Sequence, residues 1–178
     1  MTLTIKRPLQ NEFPAYYLPY VNQVPENAEI IQTLEEQNSE IRTLFTEIDD
    51  TRAEEAYAEG KWTIKELLQH MLDSERIFAY RALCIARGEQ ASLPGFDENM
   101  YAENSMANER QLKDILEEYD LLRRSNLCMF RSFDSTILDN VGTANSKQIT
   151  LRGLIYVIAG HERHHINILK ERYLKQTV

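Results

Sequence analysis

Residues 149–174 read Ile149-Thr150-Leu151-Arg152-Gly153-Leu154-Ile155-Tyr156-Val157-Ile158-Ala159-Gly160-His161-Glu162-Arg163-His164-His165-Ile166-Asn167-Ile168-Leu169-Lys170-Glu171-Arg172-Tyr173-Leu174. At about 100° per residue, with His161 at zero, Leu151, Leu154, Ile155, Ile158, Ile166 and Leu169 fall between about 20° and about 140°, the apolar arc of one helix. His165 falls at about 40°, inside that arc, and His164 at about −60°, near its edge. His161 and His165 therefore face whatever this helix packs against, at the i,i+4 spacing that lets two imidazoles share one ion.

The chain has four histidines, and the remaining one, His70, lies in another amphipathic segment. That segment opens at Trp62-Thr63-Ile64-Lys65-Glu66, where Thr63 and Glu66 fit a reciprocal capping box, and stops at Gly88. With His70 at zero, Leu67, Met71, Phe78, Ala82 and Ile85 run from about 60° to about 120°, and Ser74, Ile77 and Arg81 lie within about 40° of the histidine. Three neutral imidazoles from two facing helices suit a divalent transition ion and leave coordination positions open, as in catalytic rather than structural sites. A histidine at a helix border is equally read as a hydrogen-bonded side chain, and His161–His165 as a solvated face with charge pairs. Glu162, at about 100°, and Glu75, at about 140°, are carboxylates inside apolar arcs and need partners. An ion pair with Arg81 or Arg172 is the favoured reading, and a hydrogen bond to a ligand histidine the other.

Two more helices complete the set. Between Asn27 and Ile48 the residues Ile30, Leu34, Ile41, Leu44, Phe45 and Ile48 recur at helical spacing, and from Leu112 to about Asp134 a second stripe carries Asn126 as a core hydrogen-bonding residue. The charged stretch 49–60, the segment Glu89–Asn104 with its Pro94-Gly95, and Asp139–Lys147 with Gly142 read as breaks, the second of them a loop of functional length. Residues 1–26 hold four of the five prolines and Tyr16, Tyr17 and Tyr20, so they read as an arm docked on a bundle domain of residues 27–178. No segment shows convincing period-two alternation. The economical architecture is all-α, a four-helix bundle with an N-terminal arm.

Composition agrees. At 178 residues the chain is one domain's worth, and 6 Gly with 5 Pro leave little material for turns. Lys and Arg number 20 against 28 Asp and Glu, a net charge of −8 that repels nucleic acid and anionic membrane surfaces. No apolar run approaches membrane-spanning length, and the start from Met1 to Pro8 has no signal-peptide core, so a cytoplasmic location is expected. Cys84 and Cys128 lack Cys-x-x-Cys spacing and read as reduced thiols packed as small apolar groups.

Trp62-Thr63-Ile64-Lys65-Glu66-Leu67-Leu68-Gln69-His70, the loop Leu93-Pro94-Gly95-Phe96-Asp97-Glu98-Asn99 and Gly160-His161-Glu162-Arg163-His164-His165-Ile166 with Leu169-Lys170-Glu171-Arg172-Tyr173 together resemble the DinB/YfiT superfamily of metal-binding four-helix bundles. The resemblance covers nearly the whole chain and implies an up-down-down-up topology with two long connections. It implies a metal triad of His70, His161 and His165, with His164 a non-ligand, and zinc or nickel as the divalent metal. Members include thiol-dependent S-transferases and isomerases and metal-dependent hydrolases, and many are homodimers.

The leading expectation is thus a metal-dependent enzyme that activates a low-molecular-weight thiol or a water. Its small-molecule substrate would contact Ser74 and Arg81, and the Glu89–Asn104 loop and the N-terminal tyrosines would stand at the pocket mouth. Glu162 points about 100° away from the metal direction and is not expected to be the base. The alternatives are a non-catalytic metal-binding dimer and a helical interaction protein without metal.

Overall fold

The structure, a computed structural model, describes residues 4–175. Residues 1–3 of the expected arm and 176–178 of the expected bundle domain lie outside the described residues. Two short 3-10 turns lead into α1 (Leu18–Val21), followed by α2 (Ile30–Thr46) and α3 (Asp50–Ala53). Then come α4 (Ile64–Ala86), α5 (Glu98–Asn104), α6 (Leu112–Arg131) and α7 (Leu151–Ile168). α4 starts as the sequence predicts: Thr63 Oγ1 accepts from the Glu66 N–H at 3.1 Å, and the Glu66 carboxylate accepts from the Thr63 N–H at 2.8 Å. Beyond its end Gly88 takes φ +78°, the left-handed conformation glycine adopts without strain.

The four long helices α2, α4, α6 and α7 form the bundle, α2 and α4 each packing on both α6 and α7. Pairings along the helices give their directions. Gln69 meets Arg110 and Glu118 meets Arg76, so α4 and α6 run parallel. Gln37 meets the Ala159 carbonyl and Glu40 meets Arg163, so α2 and α7 run parallel. Tyr173 bonds the Trp62 carbonyl while His70 meets His161, which makes α4 and α7 antiparallel. The order is up-down-down-up, with consecutive helices α2 and α4, then α6 and α7, at opposite corners joined by long connections.

All three connections between the long helices hold structure that the periodicity reading left as loop. Residues 139–150 form a hairpin of β1 (Val141–Ala144) and β2 (Lys147–Thr150), joined by Asn145 and Ser146, both at positive φ (49° and 60°). Strands of four residues are too short to display period-two alternation, whereas a two-residue turn with both residues left-handed matches strand twist. The Glu89–Asn104 loop contains α5, capped by Asp97, whose carboxylate accepts from the Asn99 and Met100 N–H groups. The 49–60 stretch contains α3, capped by Asp49. The last helix ends not as α-helix at Leu174 but in a π-helical turn over Leu169–Tyr173. A backbone ladder from Leu93 to Thr143 and Asn145 ties the loop to the hairpin.

The arm lies along α7. Arg7 donates to the Val21 and Val24 carbonyls, both valines are buried, and the missing side chain of Gly160 lets the Tyr20 backbone approach so closely that a Cβ there would lie 2.0 Å from the Tyr20 oxygen. The apolar core divides into two clusters, one built around Leu34, Phe78, Phe130 and Leu154, the other around Ile41, Leu68, Ile115 and Leu169. Between them runs a layer of buried polar side chains contributed by all four long helices. Among the described residues no helix is long and apolar enough to cross a membrane. Cys84 is half-buried and packs against the first core cluster, as expected of a small apolar group, whereas Cys128 is exposed, which corrects that expectation for it.

Candidate metal centre

The polar layer has two parts. In the first, Arg123 of α6, 1% exposed, donates to both Glu75 carboxylate oxygens at 2.8 and 2.6 Å, to Glu162 and to the Leu34 carbonyl at 2.9 Å. Asn126 adds a bond to Glu75 at 3.0 Å, and the Tyr119 hydroxyl donates to Glu162. The partner of the two buried carboxylates is therefore Arg123, not Arg81 or Arg172. A wheel places a carboxylate on a face but does not say which helix opposes it. Burial pushes the Glu162 carboxyl up, against the pull of Arg123. The two Glu162 carboxylate oxygens are committed to Tyr119 and Arg123.

The second part is the histidine cluster. His70 of α4 and His161 and His165 of α7 are buried, and their Nε2 atoms form a nearly equilateral triangle with sides of 3.1, 3.2 and 3.1 Å. Three nitrogens about 2.0–2.1 Å from one tetrahedral ion would stand about 3.3–3.4 Å apart, so the triangle matches a shared ion within a few tenths of an ångström. Burial drives all three imidazoles toward the neutral form a metal ligand needs, lowering His70 to about 4 and His161 and His165 well below 6.5, with neighbouring histidines adding to the effect. The Nδ1 atom of His165 is buried without a hydrogen-bond partner among the described residues, which gives that ring no protein acceptor to fix its tautomer. These donors fit a divalent transition ion. No fourth histidine, cysteine or carboxylate joins the cluster among the described residues. His164, half-buried, turns its ring against Tyr20 and stays outside the triangle.

The triangle forms the floor of a cavity of about 310 Å³. Trp62 leans on His70 with ring centroids 4.6 Å apart, and Tyr20 and Phe78 meet the His161 ring edge-on at 5.3 and 5.6 Å. Ser74 and Arg81, the predicted substrate contacts, both line this cavity. So do Tyr16 and Tyr17 from the arm, Gly95, Phe96 and Glu98 from the loop, and Asn145 from the hairpin turn. The arm and the loop thus stand at the mouth as expected. Phe96, Trp62 and Asn145 were not singled out for the cavity by periodicity. They sit at helix ends and turns, where a wheel has no meaning; the Trp-Thr-Ile-Lys-Glu and Leu-Pro-Gly-Phe motifs were the only signal. A second cavity of about 250 Å³, lined by Tyr57, Lys61 and Tyr173, also reaches Trp62 and His165.

Comparison with known proteins follows the same lines. A sequence profile of the DinB superfamily matches residues 33–169. A protein of Oceanobacillus iheyensis, whose name marks it as an inferred metal-dependent hydrolase, is 22% identical over 157 residues, covering 83% of this chain and 89% of that protein. YfiT from Bacillus subtilis, described as a probable metal-dependent hydrolase with an unusual four-helix bundle topology, is similar with a TM-score of 0.75 at 18% identity, over 86% of this chain and 94% of its own, which is a likeness of fold.

Proposed function

The chain belongs to the DinB superfamily, and from that premise we propose a metal-dependent enzyme acting on a small molecule, of hydrolase type, with zinc or nickel held by His70, His161 and His165. The observation that carries this reading is the Nε2 triangle, with sides of 3.1–3.2 Å, at the floor of a cavity. A divalent ion in such a set supplies Lewis-acid activation of a water or thiol at a position the protein leaves open. The remaining work falls to the chain. The aromatic rings of Tyr20, Trp62 and Phe78 restrict water around the triad. Ser74 and Arg81 bind and orient the substrate. The names carried by the relatives support hydrolysis as the reaction type.

A second reading, transfer to a low-molecular-weight thiol, draws support from one observation: the second cavity shares Trp62 and His165 with the first, room for a second reactant beside it. A thiol also loses its proton more readily than water does, and among the described residues no carboxylate joins the histidine cluster itself. The division into an arm (1–26) and bundle domain (27–178), the homodimer and the cytoplasmic location belong to the same proposal and are tested by limited proteolysis, sedimentation and fractionation.

The deciding experiment is elemental mass spectrometry on untagged protein purified without chelators, beside a His70→Ala/His161→Ala variant. About one equivalent of transition metal in the wild type and none in the variant is the expected result, and ester, amide and thiol-transfer screens on the loaded protein then separate the two reaction types. Wild-type protein that neither contains nor takes up Zn(II) or Ni(II) overturns the proposal and leaves an interaction protein.

A further inference from the structure

Two arginines are buried among the described residues, Arg123 at 1% and Arg81 at 2% exposure, and their surroundings differ. Arg123 is neutralised by two carboxylates. Arg81 has no carboxylate within salt-bridge distance among the described residues; Nη2 donates to the Pro94 carbonyl at 2.6 Å, and the guanidinium also meets the Tyr17 hydroxyl, which burial keeps neutral, so neither partner supplies a counter-charge. Its guanidinium lies over Phe78 and Phe96, 5.8 and 5.9 Å from the ring centroids, contacts that offset only part of the cost of removing a cation from water. Glu98, the carboxylate lining the same cavity, makes no ion pair with it.

Ser74 lies two helical turns before Arg81 and one after His70, on the same face of α4. Its hydroxyl is fully buried, lines the cavity, and has no hydrogen-bond partner among the described residues. A buried cation without a counter-ion and a buried hydroxyl without a partner, both bordering one cavity, are the two polar functions that an anionic oxygen ligand satisfies together. Phe78 bridges the gap to the histidines. Its ring centroid is 5.6 Å from that of His161 and 5.8 Å from the Arg81 guanidinium carbon, so that carbon and the His161 ring centre are at most about 11.5 Å apart.

We infer that Arg81 and Ser74 form a subsite for an acid group, and that the substrate is a small anion carrying a carboxylate or phosphate within about 11.5 Å of the atom that reacts at the triad. The inference rests on the reading of this cavity as the substrate site and adds the substrate's charge and dimensions to it. The guanidinium fork makes two parallel bonds to such a group, and Phe78 and Phe96 flank the body of the molecule.

Trp62, the only tryptophan, lines the cavity and reports on its contents. Its fluorescence is titrated with phenylacetate, phenyl phosphate and the neutral phenylacetamide, on zinc-loaded and on EDTA-treated protein. Wild type is compared with Arg81→Met, Arg81→Lys and Ser74→Ala, each checked for native circular dichroism. The expected result is that at least one acid binds ten-fold or more tighter than the amide, with or without zinc; the tighter acid identifies carboxylate or phosphate. Arg81→Met then lowers acid affinity at least ten-fold and leaves the amide unchanged, while Arg81→Lys and Ser74→Ala fall between. Acid and amide binding alike, neither acid binding to the wild type, or Arg81→Met binding acids like the wild type each overturns the inference. So does acid binding that EDTA abolishes and Arg81→Met spares, which assigns the anion to the ion. Metal content measured on the same samples reads the functional proposal separately: acid binding through Arg81 in a chain that takes up no metal keeps this subsite and sinks the metal-dependent enzyme.

Discussion

Replacing Gly160 by alanine sets two effects of known sign against each other. Gly160 is interior to α7, where alanine is favoured over glycine by about 1 kcal/mol on helix propensity alone. The added Cβ would lie 2.0 Å from the Tyr20 oxygen and 2.4 Å from the Tyr20 carbonyl carbon, both backbone atoms, whereas ordinary contact begins at 3.4 Å. The Tyr20 backbone must withdraw by more than an ångström, and it is held by Val21 and Val24, both buried, and by the Arg7 bonds to their carbonyls. Overpacking costs about 1–3 kcal/mol and occasionally more, and two backbone atoms within 2.4 Å place this site in the upper part of that range, so the clash outweighs the propensity gain and Gly160→Ala is expected to lose about 1–2 kcal/mol net. For a chain of this length that is a fall in Tm of roughly 2–8 °C. Urea unfolding followed by circular dichroism gives the free energy. Limited proteolysis between Tyr16 and Tyr20 tests whether the loss is taken up by lifting the arm, which would also expose the cavity. Gly153→Ala, where the closest approach is 2.9 Å, is the graded control and loses less. A Gly160→Ala protein as stable as the wild type or more so, with the arm equally protected, refutes the seating of α1 on α7.

Other perturbations have equally definite signs. In metal-free protein His70 takes up a proton only at about 4, against 6.5 in the unfolded chain, so the unfolded state protonates first. Its stabilisation is complete above about 6.5 and is lost as pH falls through about 4, about 3 kcal/mol in all by the size of the shift; urea midpoints in EDTA should fall over that window and fall less in His70→Gln. Arg123→Met leaves Glu75 and Glu162 buried without a cation and should cost about 3–5 kcal/mol, with part of the loss recovered in Arg123→Met/Glu75→Gln. Additive costs in the double variant would mean the pair is not coupled. Ser146→Gly relieves a left-handed φ of 60° in the hairpin turn, which costs an L-residue about 1–2 kcal/mol, against about 0.4–1 kcal/mol of added unfolded-chain entropy, and should raise stability by up to about 1.5 kcal/mol; a fall in thermal stability would contradict the turn conformation.

What the sequence made legible was whatever repeats at helical spacing or lies within one turn. The four long helices, the Thr63–Glu66 box, the stop at Gly88 and the inward turn of His161 and His165 all follow from residues close together in the chain. The convergence of His70 with that pair needed more, since two wheels do not specify the relative height of two helices; the order of motifs supplied what geometry could not. The short elements were illegible for a different reason. β1, β2 and α5 hold their shape through a two-residue turn, an aspartate cap and the ladder from Leu93, none of which leaves a periodic trace. Arg123 escaped notice because an arginine flanked by Leu122 and Arg124 reads as the border of a polar face, and only the two carboxylates from other helices make its burial tolerable.

The charged layer across the middle of the bundle bears on how many ways these four helices could be stacked. Apolar stripes slide against one another at little cost, and a bundle with two half-cores of similar composition has alternative alignments one helical turn, about 5.4 Å, apart. Moving α6 by a turn against α4 would carry the Arg123 guanidinium from Glu75 into hydrocarbon and strand both Glu75 and Glu162. The layer therefore acts as a key in its slot. It adds less stability than a leucine layer of the same volume would, and in exchange it fixes the one alignment in which His70 stands level with His161 and His165.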